Sequence, residues 1–142
     1  MSVLLDTNVV SELVARHPDP NVVSWVDRQD PEAVFLSVVT IGELHRGIQK
    51  LPDSSRKKKL ASWLTAGLLV RFGDRILPLD TPVMMTWGSL VARIEAAGRK
   101  IPAMDSLLAA TAAHHGLPLA TRNVRDFKPA GISVVNPWEG AP

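Results

Sequence analysis

Residues 2–13 read SVLLDTNVVSEL, and the reading of this stretch decides the fold. Val3, Leu4 and Leu5 form an unbroken apolar run, the pattern of a short strand buried on both faces. Asp6 and Thr7 end it with a carboxylate and a small polar side chain. Asn8 then supplies a cap for a helix over Val9–Arg16, whose apolar Val9, Val10, Leu13 and Val14 share one face. A carboxylate between a buried strand and a helix is either a turn residue or a ligand platform at the mouth of a sheet. The rest of the chain has to decide between them.

Working outward, a second helix is predicted from Asn21 to about Gln29, between the breaks His17-Pro18-Asp19-Pro20 and Asp30-Pro31. Ala33–Val39, "AVFLSVV", has the β-branched, apolar character of a second strand. Thr40 followed by Glu43 fits a capping box, opening a helix to about Leu51. After the polar connector "LPDSSRKKK", a fourth helix is expected from Lys59 to Phe72. Ile76–Leu79 reads as a third strand, and Thr81 as the cap of a long helix to about Gly98. A further helix starts at Ala103 or Met104 and runs to His115, with Gly116 placed to end it. Leu117–Thr121 and Ile132–Val135 complete the strands. Strands alternating with helices predict one α/β domain over residues 1–142, with a parallel sheet covered on both faces.

The composition agrees with a globular domain: 142 residues, 46% hydrophobic and 21% charged. There is no cysteine, so disulfides and thiolate metal sites are excluded. No charged stretch followed by an apolar run opens the chain, and no apolar segment approaches the roughly 20 residues of a membrane span. A soluble, cytoplasmic protein is expected. The formal net charge is only +2, too small to imply nucleic acid by itself. The positive charges are clustered, however, at Arg56–Lys59, at Arg99-Lys100 and from Arg122 to Lys128, which permits a phosphate-bearing partner.

Ligands of open parallel sheets bind outside the carboxyl ends of the strands. Asp6 ends the first strand, and Glu43 is expected in the first turn of the helix after the second. Asp105 opens the helix after "GRKIPAMD", and Asp126 lies in "TRNVRDF" beyond the fourth strand. Each acid alone has a structural reading, as turn, capping-box partner or favourable charge at a helix start. Together in one cleft they repel one another unless a cation compensates. Hard divalent ions such as Mg²⁺ or Mn²⁺ prefer such oxygen ligands, activate water and stabilise charge on phosphoryl oxygens. Phosphodiester hydrolysis is the natural reaction.

The blocks "LLDTNVVSE", "SVVTIGELHRG", "IPAMDSLLAATAAHHGLPLATRNVRDF" and "NPWE" resemble, in order and over nearly the whole chain, the PIN-domain ribonucleases, specifically VapC-type toxins of bacterial toxin–antitoxin pairs. The resemblance implies a PIN-like three-layer α/β/α fold around a parallel sheet of four to five strands. It implies an Mg²⁺- or Mn²⁺-dependent endoribonuclease, neutralised by a VapB-type antitoxin, and a homodimer with Val9–Leu13 and the following helix as candidate faces. Asp6, Glu43 and Asp105 take the places of the family's metal-binding acids. The family's fourth acid falls in a T-x-D pattern, which here reads Thr121-Arg122-Asn123. Asn123 can hold a water or a phosphate, or Asp126 can reach in instead, so the metal count stays open at one or two. Thr7, Asn8 and Thr121 are expected to support the pocket. Arg46, three residues after Glu43, can pair with that acid, approach a phosphate or simply be solvated.

Other features have plainer readings. His114-His115 suits a helix C-terminus better than zinc. Trp25, Trp63, Trp87 and Trp138 read as core or dimer packing. The basic run Arg56–Lys59 and the helix behind it form a candidate surface for antitoxin or RNA. A signalling receiver domain would want paired acids near the first strand and a late lysine, and an aspartyl phosphatase would want Asp-x-Asp where Asn8 stands. A structure-specific DNA nuclease of the same fold and a catalytically weak PIN-like binding module remain the rivals.

Overall fold

The computed structural model describes residues 1–139. Five strands, β1 (Val3–Leu5), β2 (Val34–Ser37), β3 (Ile76–Leu77), β4 (Leu119–Ala120) and β5 (Val134–Val135), form one sheet in the order β3-β2-β1-β4-β5. Every pairing is parallel. The central strand β1 sets Leu4 beside Phe35 on one side and beside Leu119 on the other.

Side chains of a strand alternate between faces, and β1 feeds two cores accordingly. Val3 and Leu5 join Val9, Val10, Val22, Leu36, Leu44, Leu64 and Ala120 on one face. Leu4 joins Val83, Leu90, Leu108, Leu119 and Phe127 on the other. The first face is covered by α1 (Thr7–Leu13), α2 (Pro20–Asp27), α3 (Val38–Gln49) and a helical stretch made of α4 (Ser55–Ser62), a π-helical segment Trp63–Leu68 and α5 (Leu69–Phe72). The second is covered by α6 (Thr81–Ala96) and α7 (Ala103–His115). The three-layer α/β/α expectation is met, with five strands. No helix among the described residues is long and apolar enough to cross a membrane.

Helix starts that follow a strand differ from the sequence expectation in a consistent way: the cap is the first polar side chain at or beyond the strand's end. Asp6, not Asn8, caps α1, with its carboxyl accepting from the Thr7 N–H. Asp80, not Thr81, caps α6 by accepting from Val83 N–H at 3.1 Å. Ser37 caps α3 through the Val39 N–H at 3.0 Å, which leaves Thr40 inside the helix and Glu43 in its second turn. The "TIGE" capping box therefore does not form. The fourth helix begins at Ser55, capped by Ser54, so the basic run lies in its first turns. The second helix begins at Pro20 behind an Asp19 cap.

Two surface expectations change as well. Val9 and Val10 are 0% and 2% exposed, so α1 cannot offer them to a second copy. Lys57 bends back to donate to the carbonyls of Gln49 and Leu51 and lies 3.7 Å from Asp53, so part of the basic run serves the α3–α4 turn. The α7 end is as expected, with Gly116 at φ 64° and His114 and His115 in the last turn.

Two glycines should respond to alanine with opposite sign. At Gly116 the left-handed backbone makes Gly116→Ala destabilising by about 1 kcal/mol. Gly88 lies inside α6, and a methyl group added there would meet nothing within 4 Å, so Gly88→Ala should stabilise by up to about 1 kcal/mol. Urea unfolding of both variants measures the contrast.

Candidate active site

Asp6 is where the sheet and the site meet. Its backbone N–H donates to the Ala120 carbonyl at 2.9 Å, extending the β1–β4 ladder by one rung. Its carbonyl accepts from Val9 N–H, starting α1. The residue is only 6% exposed, and its carboxyl is held at both oxygens. The Thr7 N–H donates to Oδ1 at 2.7 Å, and the Thr121 hydroxyl donates to Oδ2 at 2.7 Å.

Thr121 is fully buried, just beyond β4. Its oxygen accepts from the Asn123 backbone N–H at 3.0 Å and from Asn8 Nδ2 at 3.4 Å. Those two bonds occupy the acceptor side of the hydroxyl, leaving its single proton for Asp6. Asn8 thus acts on Asp6 through Thr121, and Asn123 contributes its main chain to the same device. The Asn123 side chain itself is exposed.

Glu43 is positioned by a parallel arrangement. The Thr7 hydroxyl lies 2.6 Å from Glu43 Oε1 and 3.0 Å from Thr40 Oγ1. A hydroxyl has one proton to give, and a carboxylate only accepts. Thr7 therefore donates to Glu43, and Thr40 donates to Thr7. Thr40 is fully buried and stands one turn before Glu43 on α3, so both face α1. This is the residue that sequence reading missed. Once the cap falls on Ser37, the i, i+3 spacing of Thr40 and Glu43 is the signal that pairs them.

Asp105 lies in the first turn of α7, half-buried. Burial, and then the charges of Asp6, Asp126 and Glu43, push its carboxyl up to about 6 from 3.8. The Asp6 carboxyl is raised too, chiefly by burial. The bonds from Thr121 and Thr7 oppose that rise, and the charges of Glu43 and Asp126 add to it. Asp105 thus feels the charges of the other three acids and Asp6 those of Glu43 and Asp126, the last being an exposed residue of the helical turn Val124–Ala130.

No three acid or imidazole groups among the described residues close up into a ready metal cluster. Charge repulsion reaches further than ligand bonds, so this is an open acidic mouth and not a closed cage. Arg46 is exposed and takes part in neither ion pair found among the described residues, which are Lys57–Asp53 and Arg75–Glu32. It is not a partner of Glu43. His45, His114 and His115 are exposed, and none joins a cluster of three such groups among the described residues.

The PIN-domain family model matches residues 3–131. The chain belongs to the PIN-domain family. It is 37% identical over 139 residues to the VapC ribonuclease Y4jK of Sinorhizobium fredii, covering 98% of this chain and 99% of that one. It is 39% identical over 136 residues to the toxin FitB of Neisseria gonorrhoeae, covering 96% and 98%. Among solved structures, FitAcB from Neisseria gonorrhoeae superposes with a TM-score of 0.91 at 39% identity, covering 96% of this chain and 98% of that one. A member of the VapBC family of toxin–antitoxin systems from Mycobacterium tuberculosis superposes with a TM-score of 0.66 at 25% identity, covering 95% and 96%.

Two outcomes test this PIN-domain site. Thr121→Val leaves a buried Asp6 oxygen without its donor and should cost about 1–3 kcal/mol in urea unfolding. The raised Asp105 carboxyl makes the folded state bind more protons than the unfolded chain between pH 3.8 and about 6. Stability of the metal-free protein should therefore fall as pH rises through that window and level off above it. Asp105→Asn should flatten the profile, followed by thermal unfolding in EDTA across pH.

Proposed function

We propose that this chain is a divalent-metal-dependent endoribonuclease that acts as the toxin of a toxin–antitoxin pair. The observation that supports the reading is the placing of Asp6 at the end of β1 with both carboxyl oxygens held, beside the Thr7-bound Glu43, while burial and then the charges of Asp6, Asp126 and Glu43 push the Asp105 carboxyl up to about 6. The ribonuclease and toxin names borne by relatives near 40% identity support the same class.

The donor set fits a hard dication. It is all oxygen, it repels itself without a positive charge, and two of its acids are oriented by threonine hydroxyls. Asp6, Glu43 and Asp105 would hold Mg²⁺ or Mn²⁺, with Asp126 adding charge where Asn123 replaces the family's usual acid. Because the mouth is open, solvent retained by the ion would complete its shell. Bound there, the ion supplies an activated water and stabilises charge on the phosphoryl oxygens. The chain's own part is orientation. Thr121 and the Thr7 N–H fix the two oxygens of Asp6, and the Thr40–Thr7 pair fixes Glu43.

The partners that accompany this reading are RNA as substrate, a VapB-type antitoxin and a second copy of the chain, all in the cytoplasm as one domain. A solved relative described as part of a toxin–antitoxin system supports the antitoxin. With Val9 and Val10 buried, the apolar side chains left for a second copy include Met85 and Met104, 71% and 54% exposed.

Incubating the purified chain with a mixed RNA pool in Mg²⁺, in Mn²⁺ and in EDTA tests the reading. Cleavage in either ion, its loss in EDTA and a drop of at least 100-fold in Asp6→Asn are expected for removal of a ligand acid. Cleavage of DNA in place of RNA would favour the DNA-nuclease alternative. Binding of RNA without cleavage under any ion would favour a catalytically weak module.

A further inference from the structure

Arg122 leads out of the loop after β4, next to the threonine that holds Asp6. Its backbone N–H donates to Asn8 Oδ1 at 3.4 Å. Its guanidinium carbon lies 5.3 Å from the centre of the Trp138 ring. Trp138 is itself anchored from both sides. Its backbone N–H donates to Asn136 Oδ1 at 2.9 Å, and its carbonyl accepts from Asn21 Nδ2 at 3.1 Å, which fixes the main chain that carries the ring. Its indole is partly buried against the core beneath α1–α3. An exposed arginine is thus seated on an aromatic side chain, in the loop that starts one residue beyond the threonine holding Asp6.

The chain holds a second arginine over an aromatic ring, and the contrast is informative. Arg75 sits 4.8 Å over Phe72, but its N–H groups are taken up by the carbonyls of Pro31, Val34 and Arg71, and Glu32 lies at 3.9 Å. That arginine is a structural brace. Arg122 takes part in neither ion pair, and its side chain makes no hydrogen bond among the described residues. An aromatic face restrains a guanidinium without using any of its donors, whereas a carboxylate or carbonyl uses them up. Among the described residues the result is a positioned fork with no partner on its N–H groups, the geometry suited to bidentate phosphate.

We propose that Arg122, seated on Trp138, binds a backbone phosphate of the RNA at the edge of the acidic mouth. The proposal rests on the ribonuclease reading and deepens it. A cluster of carboxylates repels a polyanion, and phosphate contacts are what set a strand's position on a protein. Arg122 supplies one such contact beside Asp6 and is a binding and positioning residue, with no part in the bond-breaking itself.

The test compares wild type with Arg122→Ala, Arg122→Lys, Trp138→Leu and Arg125→Ala, the last removing an exposed charge from the same loop. A single-stranded RNA that the wild type cuts is assayed in Mg²⁺, and its Kd is measured in the Asp6→Asn background across salt. Arg122→Ala should raise KM and Kd by about 10-fold, the loss of a charge-assisted contact, with kcat changed less than about 2-fold. Its log Kd against log salt slope should fall by about 0.7, one phosphate's worth for a single strand. Arg122→Lys should be intermediate, since lysine keeps the charge without the fork. Trp138→Leu should move KM in the same direction by less. A wild-type KM and slope in Arg122→Ala, or an effect matched by Arg125→Ala, overturns the assignment. So does weakened antitoxin binding with RNA binding intact. A wild-type protein that neither binds nor cuts RNA defeats the ribonuclease reading before any variant is compared, so the two failures are distinct.

Discussion

The bond from the Thr121 hydroxyl to Asp6 Oδ2 is the interaction on which the rest of the site depends. It joins the residue that ends β1 to the residue that follows β4. These two strands are adjacent in the sheet, though 115 positions separate the two residues in sequence. The same pair of strands is closed by the Asp6 N–H on the Ala120 carbonyl. Sheet pairing therefore delivers the hydroxyl to the carboxylate, and the carboxylate is ready only when the sheet is. Burial, and to a smaller extent the charges of Glu43 and Asp126, raise the Asp6 carboxyl from its ordinary value. The threonine and the Thr7 N–H oppose that rise.

The threonines follow one logic throughout the site. Thr7, Thr40 and Thr121 are small enough to sit beside the acids without filling the mouth, and each carries one directed proton. Thr40 and Thr121 are wholly buried, so their hydroxyls have no water to compete for. Charge, by contrast, is left uncompensated. The charges of three other acids reach Asp105, and neither ion pair among the described residues involves any of the four. A site built that way waits for positive charge and for phosphate from outside.

The layered fold was legible because its signals are long-range in pattern and local in chemistry. The apolar run Val3–Leu5 reads as a doubly buried strand, and it is one, with Leu4 on one core and Val3 and Leu5 on the other. The positions of Asp6 after its strand and Asp105 at its helix start were legible for the same reason, and Glu43 was placed on the right helix but in its first turn, where the structure has it in the second. What failed was choosing between neighbouring capping residues. Asp6 against Asn8, Ser37 against Thr40 and Asp80 against Thr81 are all good caps, and only the end of the strand decides. That error hid Thr40, since a residue assigned to a cap is not sought in a hydrogen-bond chain. Arg122 was hidden for another reason: its seat on Trp138 depends on where the last turn of the chain packs, which no local spacing records.

The double hold on Asp6 also bears on direction. Both of its oxygens already accept a hydrogen bond, one from the Thr7 N–H and one from Thr121. Each oxygen keeps a second lone pair, and the two donors fix where those lone pairs point. The carboxylate cannot turn about its side-chain bond without giving up one donor or the other, so what it still has to offer is offered along set lines.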